Sequence, residues 1–197
     1  MKRSAFLLSL LAGSVWAQTL TQGERDYAMS QLHATRKMLL DAINGLGPAQ
    51  WNFKPVTEAW SIGQYVEHVI LAEDYVRRHA ATLLEKPTTG DRQPAFDNDT
   101  LYSRAADPDQ SPTISDSALE PKGQYATAEQ AAQAFRERRD RTIAYLASTS
   151  DPLRAHADGM GPEALDAYQW FIRLAGHTER CVARINRIKA DRNFPAR

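Results

Sequence analysis

Cysteine is nearly missing from this chain: Cys181 is the only one in 197 residues. A lone thiol cannot cross-link the fold to itself, so no disulfide framework holds it together. Cys181 is left as a buried apolar residue, a reactive thiol, an intermolecular partner or a metal ligand. Net charge is missing too, with 24 basic against 24 acidic side chains, and nothing in that balance calls for nucleic acid as a partner. The sequence has no nucleophile triad, no phosphate-binding glycine loop and no internal repeat, and its strand signals are weak.

The one long apolar run lies at the start. Met1-Lys2-Arg3 is followed by about ten apolar residues and a small-residue end at Val15-Trp16-Ala17, the form of a secretory signal peptide and too short for a membrane span. Cleavage after Ala17 would leave residues 18–197 as one domain, about 180 residues, enough for a substantial core. The cleavage site has no cysteine for a lipid anchor. The expectation is therefore an exported protein, periplasmic or extracellular, without stable membrane insertion; a retained N-terminal anchor is the alternative. Loss of Lys2 and Arg3 would bring the net charge to −2.

What the chain does have is helical periodicity. Thr21-Gln22-Gly23-Glu24 is a capping box, and Ala28, Leu32, Thr35, Leu39, Ile43 and Leu46 follow at steps of three and four, predicting a helix to about Asn44 that Gly45 and Gly47 stop. The connector from Pro48 to Trp60 holds turn formers and proline and reads as non-helical, although its aromatics must pack on something. Ser61-Ile62-Gly63-Gln64 caps a second helix to about Leu84. Residues 85–126, with Pro87, Pro94, Pro108, Pro112 and Pro121, read as a long loop, either a lid over a site or a mobile insertion. Thr127 opens a third helix carrying Ala132, Phe135, Thr142 and Leu146, and the last runs from about Pro162 to Ala190. Four long amphipathic segments predict an all-α four-helix bundle with the long loop between helices two and three.

Two of these helices bear the chemistry. Tyr65, His68, Ala72 and Tyr75 share one stripe of the second; Trp170, Leu174, His177, Cys181, Ile185 and Ile188 share one of the last. Both histidines therefore point inward. A four-residue step puts His177 and Cys181 one turn apart, about 5 to 6 Å between Cβ atoms, close enough to reach one ion. With His68 from the facing helix, two imidazoles and a thiolate would suit zinc or another borderline transition metal. Three protein ligands leave a coordination position open. Spacing alone also fits hydrogen-bonded core histidines beside a small apolar cysteine.

Other residues carry plainer readings. Glu67 lies about 100° round the helix from His68 and reads as a surface or ligand-supporting group rather than a general base. Arg139 follows Phe135 by one turn and is either a snorkelling structural arginine or one that enters the core to pair with a carboxylate or substrate. Trp60 and Trp170 read as walls of the cavity, and His33, His79 and His156 as solvated or structural.

The wording around these positions adds to the spacing. Gln50-Trp51-Asn52-Phe53-Lys54-Pro55, Trp60-Ser61-Ile62-Gly63-Gln64-Tyr65-Val66-Glu67-His68, Asp166-Ala167-Tyr168-Gln169-Trp170, His177-Thr178-Glu179-Arg180 and Lys189-Ala190-Asp191-Arg192-Asn193-Phe194-Pro195 together resemble the DinB-like superfamily of metal-binding bundles, to which YfiT-type proteins are related. The resemblance runs over nearly all of residues 18–197. It implies an up-down-down-up bundle holding a divalent metal, often nickel or zinc, on three histidines, and His68 and His177 match two of them. Cys181 stands where the third histidine is usual, in a His-x-x-Arg-His pattern, and Arg184 stands where a glutamine usually follows. Either the thiolate retunes the site toward zinc, or Cys181 is an apolar filler in a site that has lost its ion.

Function divides along the same line. Members of the family include metal-dependent, thiol-using transferases and isomerases. Export would separate this chain from the cytosolic thiol pool, which leaves metal-assisted hydrolysis of an unknown small-molecule substrate as the simpler chemistry. The other branch is a non-catalytic helical module that holds a metal or small ligand. A homodimer, frequent in the family, is an assembly the resemblance also implies.

Overall fold

A computed structural model describes residues 19–89, 94, 96–109, 117–160 and 163–196. The leader assigned to residues 1–17 lies outside these. Six α-helices are present among the described residues: α1 (Gln22–Ile43), α2 (Pro48–Asn52), α3 (Ile62–Leu84), α4 (Asn98–Ala106), α5 (Ala128–Ser148) and α6 (Ala167–Lys189). No β-strand is assigned there; an isolated bridge pairs Ala157 with Asp166.

Helix starts fall where the caps predict. The Thr21 hydroxyl accepts from the Glu24 amide while the Glu24 carboxylate accepts from the Thr21 amide, and Ser61 with Gln64 repeats the exchange. Asp166 and Gln169 form a third such box and set the start of α6 at Ala167 rather than near Pro162. The buried stripes match those read from spacing: Ala28, Leu32, Thr35, Leu39 and Ile43 on α1, and Trp170, Leu174, His177, Cys181, Ile185 and Ile188 on α6.

Side-chain bonds give the helix directions. The Tyr168 hydroxyl donates to the Glu24 carbonyl and the Lys189 ammonium to the Ala42 carbonyl, so α1 and α6 run parallel, start beside start. Arg25, at the start of α1, donates to the carbonyls of Leu146 and Thr149 at the end of α5; those two are antiparallel. Ile62 and Val66 share a cluster with Ala128 and Ala131, and Leu83 shares another with Leu146, so α3 and α5 are parallel. The result is an up-down-down-up bundle.

Two apolar clusters divide the core along the bundle axis. Between them lies a polar belt. Arg139 is 0% exposed and pairs with Glu73, its Nη2 2.6 Å from Oε1. It also donates to the Leu32 carbonyl, the Thr35 hydroxyl and the Thr178 hydroxyl, while Thr142 donates to the other Glu73 oxygen. Every bundle helix contributes, and the guanidinium is fully satisfied. Arg139 is thus a core ion-pair residue, not a snorkelling one.

Two segments depart from the sequence reading. Pro48–Asn52 is helical because proline occupies the first turn, where its missing N–H costs nothing. This short helix buries Trp51, whose indole donates to the Tyr125 carbonyl and lies against Gly63, where a Cβ would come within 2.7 Å of Nε1. The segment 85–126 is not all loop, because α4 lies within it, capped by Asp97. Its inward face is only Leu101 and Ala105, too short a stripe to show as periodicity. Helix α4 packs on α6 at Gly176, where a Cβ would sit 2.6 Å from the Tyr102 carbonyl oxygen and 2.8 Å from the Ala105 Cβ.

Candidate metal centre

His68 lies two turns into α3, His177 at the middle of α6 and Cys181 one turn further on, in the half of the bundle where the start of α3 meets the end of α6. The structure brings the three together. One ligand atom from each lies within 4.8 Å of the other two, and all three residues are buried. The imidazole rings are 4.9 Å apart at 62°, and Nε2 of His177 is 3.7 Å from the Cys181 sulfur. A nitrogen and a sulfur on one tetrahedral zinc ion stand about 3.6 Å apart, so the His177–Cys181 pair already has the separation of two shared ligands.

His68 is oriented by the backbone. Its Nδ1 is 2.8 Å from the Leu119 carbonyl, which can only accept; Nδ1 therefore carries the hydrogen and Nε2 keeps its lone pair for an ion. Glu67 holds the same segment, accepting from three successive amides, those of Lys122, Gly123 and Gln124, at 2.8, 2.8 and 3.1 Å. It is 1% exposed, so it is no surface group. Adjacent residues of α3 thus clamp one stretch of chain, and that stretch returns a carbonyl to the ligand. A backbone acceptor leaves no signature in sequence, and sequence reasoning missed it.

His177 has a different neighbour. Nη2 of Arg180 lies 2.8 Å from its Nδ1, and a guanidinium can only donate. Nδ1 therefore accepts, and the ring hydrogen sits on Nε2, facing the Cys181 sulfur. An ion taken by Nε2 would require that hydrogen to leave and Arg180 to give up the contact. The donor set fits a borderline transition metal; the Arg180 contact is the rearrangement such an ion would demand.

Burial governs the protonation states. Loss of solvent lowers the pKa of His68, with the charges of Arg180 and Arg184 acting in the same direction against its carbonyl bond. His177 is held well below the ordinary imidazole value, first by burial and then by His68 and Arg180. Burial pushes the Cys181 thiol up to about 12, against the pull of Arg180 and Arg184. Without an ion the cluster is two neutral imidazoles and a thiol.

Trp60 walls the site as expected, its ring 5.0 Å from that of His68 and 5.3 Å from that of Tyr65. Trp60 and Tyr65 also line a groove of about 390 Å³ with Pro55, Ala59 and Arg184. Trp170 does not wall the site; it packs on His79 and Tyr75 in the other apolar half. His33 is exposed, His79 is half-buried in that aromatic stack and His156 is buried away from the cluster. The described parts of 85–126 are packed on the bundle: Tyr102 bonds Glu179, Arg184 donates to the Pro108 carbonyl and Arg187 pairs with Asp109.

The family model of the DinB superfamily matches residues 31–180, which includes His68, His177 and the whole polar belt. The chain belongs to the DinB superfamily. The DinB match ends one residue before Cys181. Among solved structures, the chain is similar to YfiT from Bacillus subtilis at 14% identity and a TM-score of 0.57, over 87% of this chain and 89% of that one. That structure is described as a probable metal-dependent hydrolase with an unusual four-helix bundle topology. The likeness carries the fold, an all-helical YfiT-like bundle. No curated protein matches the sequence.

Proposed function

We propose that this DinB-superfamily protein is a metal-dependent hydrolase of a small molecule, with His68, His177 and Cys181 as the ligands of one zinc or nickel ion. The observation that carries the reading is the buried convergence of these three side chains within 4.8 Å. A divalent ion held there would supply Lewis acidity, polarising a carbonyl or phosphoryl oxygen and activating water near neutral pH. The residues of the chain do the rest: the Leu119 carbonyl fixes the His68 ring, and Trp60 and Tyr65 shield the ligands on the groove side. Hydrolysis is preferred to thiol transfer because the leader read at residues 1–17 would export the protein to the periplasm or beyond.

One observation favours the non-catalytic alternative. Glu67, the carboxylate adjoining His68, is occupied by three backbone amides and is not free to move a proton. In a metal-binding module that would be no loss. Metal analysis of the purified protein, followed by a panel of ester, amide and phosphoester substrates with and without chelator, separates the readings. Stoichiometric metal with chelator-sensitive turnover supports the hydrolase. Metal without turnover supports a metal-holding module, and protein that takes up no metal from supplemented buffer overturns the hydrolase and leaves a non-catalytic module whose site has lost its ion. Mass measurement of the chain secreted by a bacterial host tests export, with cleavage after Ala17 as the expected product.

A further inference from the structure

Among the described residues the bundle buries two arginines, of opposite character. Arg139, 0% exposed, has a carboxylate partner and every nitrogen bonded. Arg180 is 2% exposed, and its Nε and Nη1 have no hydrogen-bond partner among the described residues. Its Nη2 reaches only the His177 ring, and no carboxylate pairs with it among the described residues. An unpaired buried cation is costly to hold away from water, and open N–H donors add to that cost. This guanidinium sits between two of the three candidate ligands in sequence and touches one of them in space. An ion on the thiolate and two neutral imidazoles would leave the site with further positive charge. Both conditions call for the same complement: oxygens bearing negative charge, placed against Nε and Nη1.

We propose that Arg180 is the receptor for an oxyanionic group of the substrate, a carboxylate or phosphate carried close to the bond that is cleaved. The inference rests on the metal-centre reading for the position of that bond, while the receptor itself is defined by Arg180 alone. Arginine suits the task because its planar fork matches such groups and never loses its charge. It makes the preferred substrates small anions, and neutral esters or amides poor ones.

The test uses the full mature chain, metal-free and loaded with cobalt(II), with acetate, inorganic phosphate or chloride added at matched ionic strength. In the parent, acetate or phosphate should raise the melting midpoint saturably and change the visible absorption of the bound cobalt; chloride should do neither. Arg180→Gln, which removes an uncompensated charge and so should fold with a midpoint at or above that of the parent, should bind the same anion at least ~10-fold more weakly, a loss of about 1.4 kcal/mol. Arg180→Lys, keeping charge without the fork, should fall between and serves if the glutamine variant fails to fold. A response to acetate alone assigns a carboxylate, and a response to phosphate alone a phosphate ester. Equal affinity in parent and Arg180 variants, or no anion effect beyond chloride, overturns the proposal. Absence of a cobalt–thiolate absorption band sinks the metal reading instead, and the midpoint comparison in metal-free protein then decides the receptor.

Discussion

The guanidinium of Arg180 donates to Nδ1 of His177 across 2.8 Å, and so holds the ring hydrogen on Nε2, the nitrogen that faces Cys181. Metal binding through Nε2 works against that contact twice, through the misplaced hydrogen and through a cation beside a dication. Arg180→Gln relieves both, since an amide oxygen can accept from Nδ1–H. Outer-shell partners of ligating histidines commonly change metal affinity by about 10- to 100-fold. Here the change runs toward tighter binding: chelator competition should show zinc held about 10-fold more tightly by Arg180→Gln than by the parent.

Glu67 acts on the site through the chain it clamps. Glu67→Ala removes a buried carboxylate from three backbone amides, and hydrogen bonds to a charged group are the stronger kind, so stability should fall by about 1 to 3 kcal/mol in urea titration. Because the freed segment carries the Leu119 carbonyl that orients His68, zinc affinity should fall as well, by about 10-fold or more. A variant that loses stability yet binds zinc unchanged would separate the clamp from the ligand.

The Arg139–Glu73 pair is a structural element. Glu73→Gln or Arg139→Met alone leaves a buried charge without its partner and should cost about 3 to 5 kcal/mol. Replacing both with methionine should cost markedly less than the sum of the single changes, although Thr35, Thr142 and Thr178 lose their partners too. Denaturant melts of the singles and the double measure that coupling directly.

Sequence pattern carried the bundle because its determinants are local: capping boxes at Thr21 and Ser61, and apolar steps of three and four along α1, α3, α5 and α6. The inward direction of His68, His177 and Cys181 followed from the same steps. What stayed hidden depends on contacts remote in sequence. Helix α4 exposes too few apolar residues to register and is recognised by the notch at Gly176. Glu67 reads in the sequence as either a surface or a ligand-supporting group, and the amides that decide for the second lie 55 to 57 positions away. Arg180 sat in plain view within His177-Thr178-Glu179-Arg180-Cys181, but nothing in a sequence says which guanidinium will lack a carboxylate.

Acidity should separate the metal-free protein from the loaded one. His68 and His177 have lowered pKa values in the fold, whereas the unfolded chain takes up protons near pH 6.5. The unfolded state then binds more protons, so this contribution is complete above about pH 6.5 and is lost as pH falls below it. Cys181, raised to about 12, works the other way: its contribution is complete below about pH 8.5, the ordinary thiol value, and is lost above it as the unfolded thiol ionises. Melting midpoints of metal-free protein should therefore peak between about pH 7 and 8. Zinc affinity should rise with pH over that interval, since binding displaces the Cys181 proton.

The central claim is that Cys181 is a ligand, and zinc affinity of Cys181→Ala and Cys181→His beside the parent tests it most directly. Chelator competition should find tight zinc in the parent and in Cys181→His, and affinity lower by at least ~100-fold, about 2.7 kcal/mol, in Cys181→Ala. Equal affinity in Cys181→Ala and the parent would show that Cys181 is apolar filling and that the His68–His177–Cys181 centre is not a metal site.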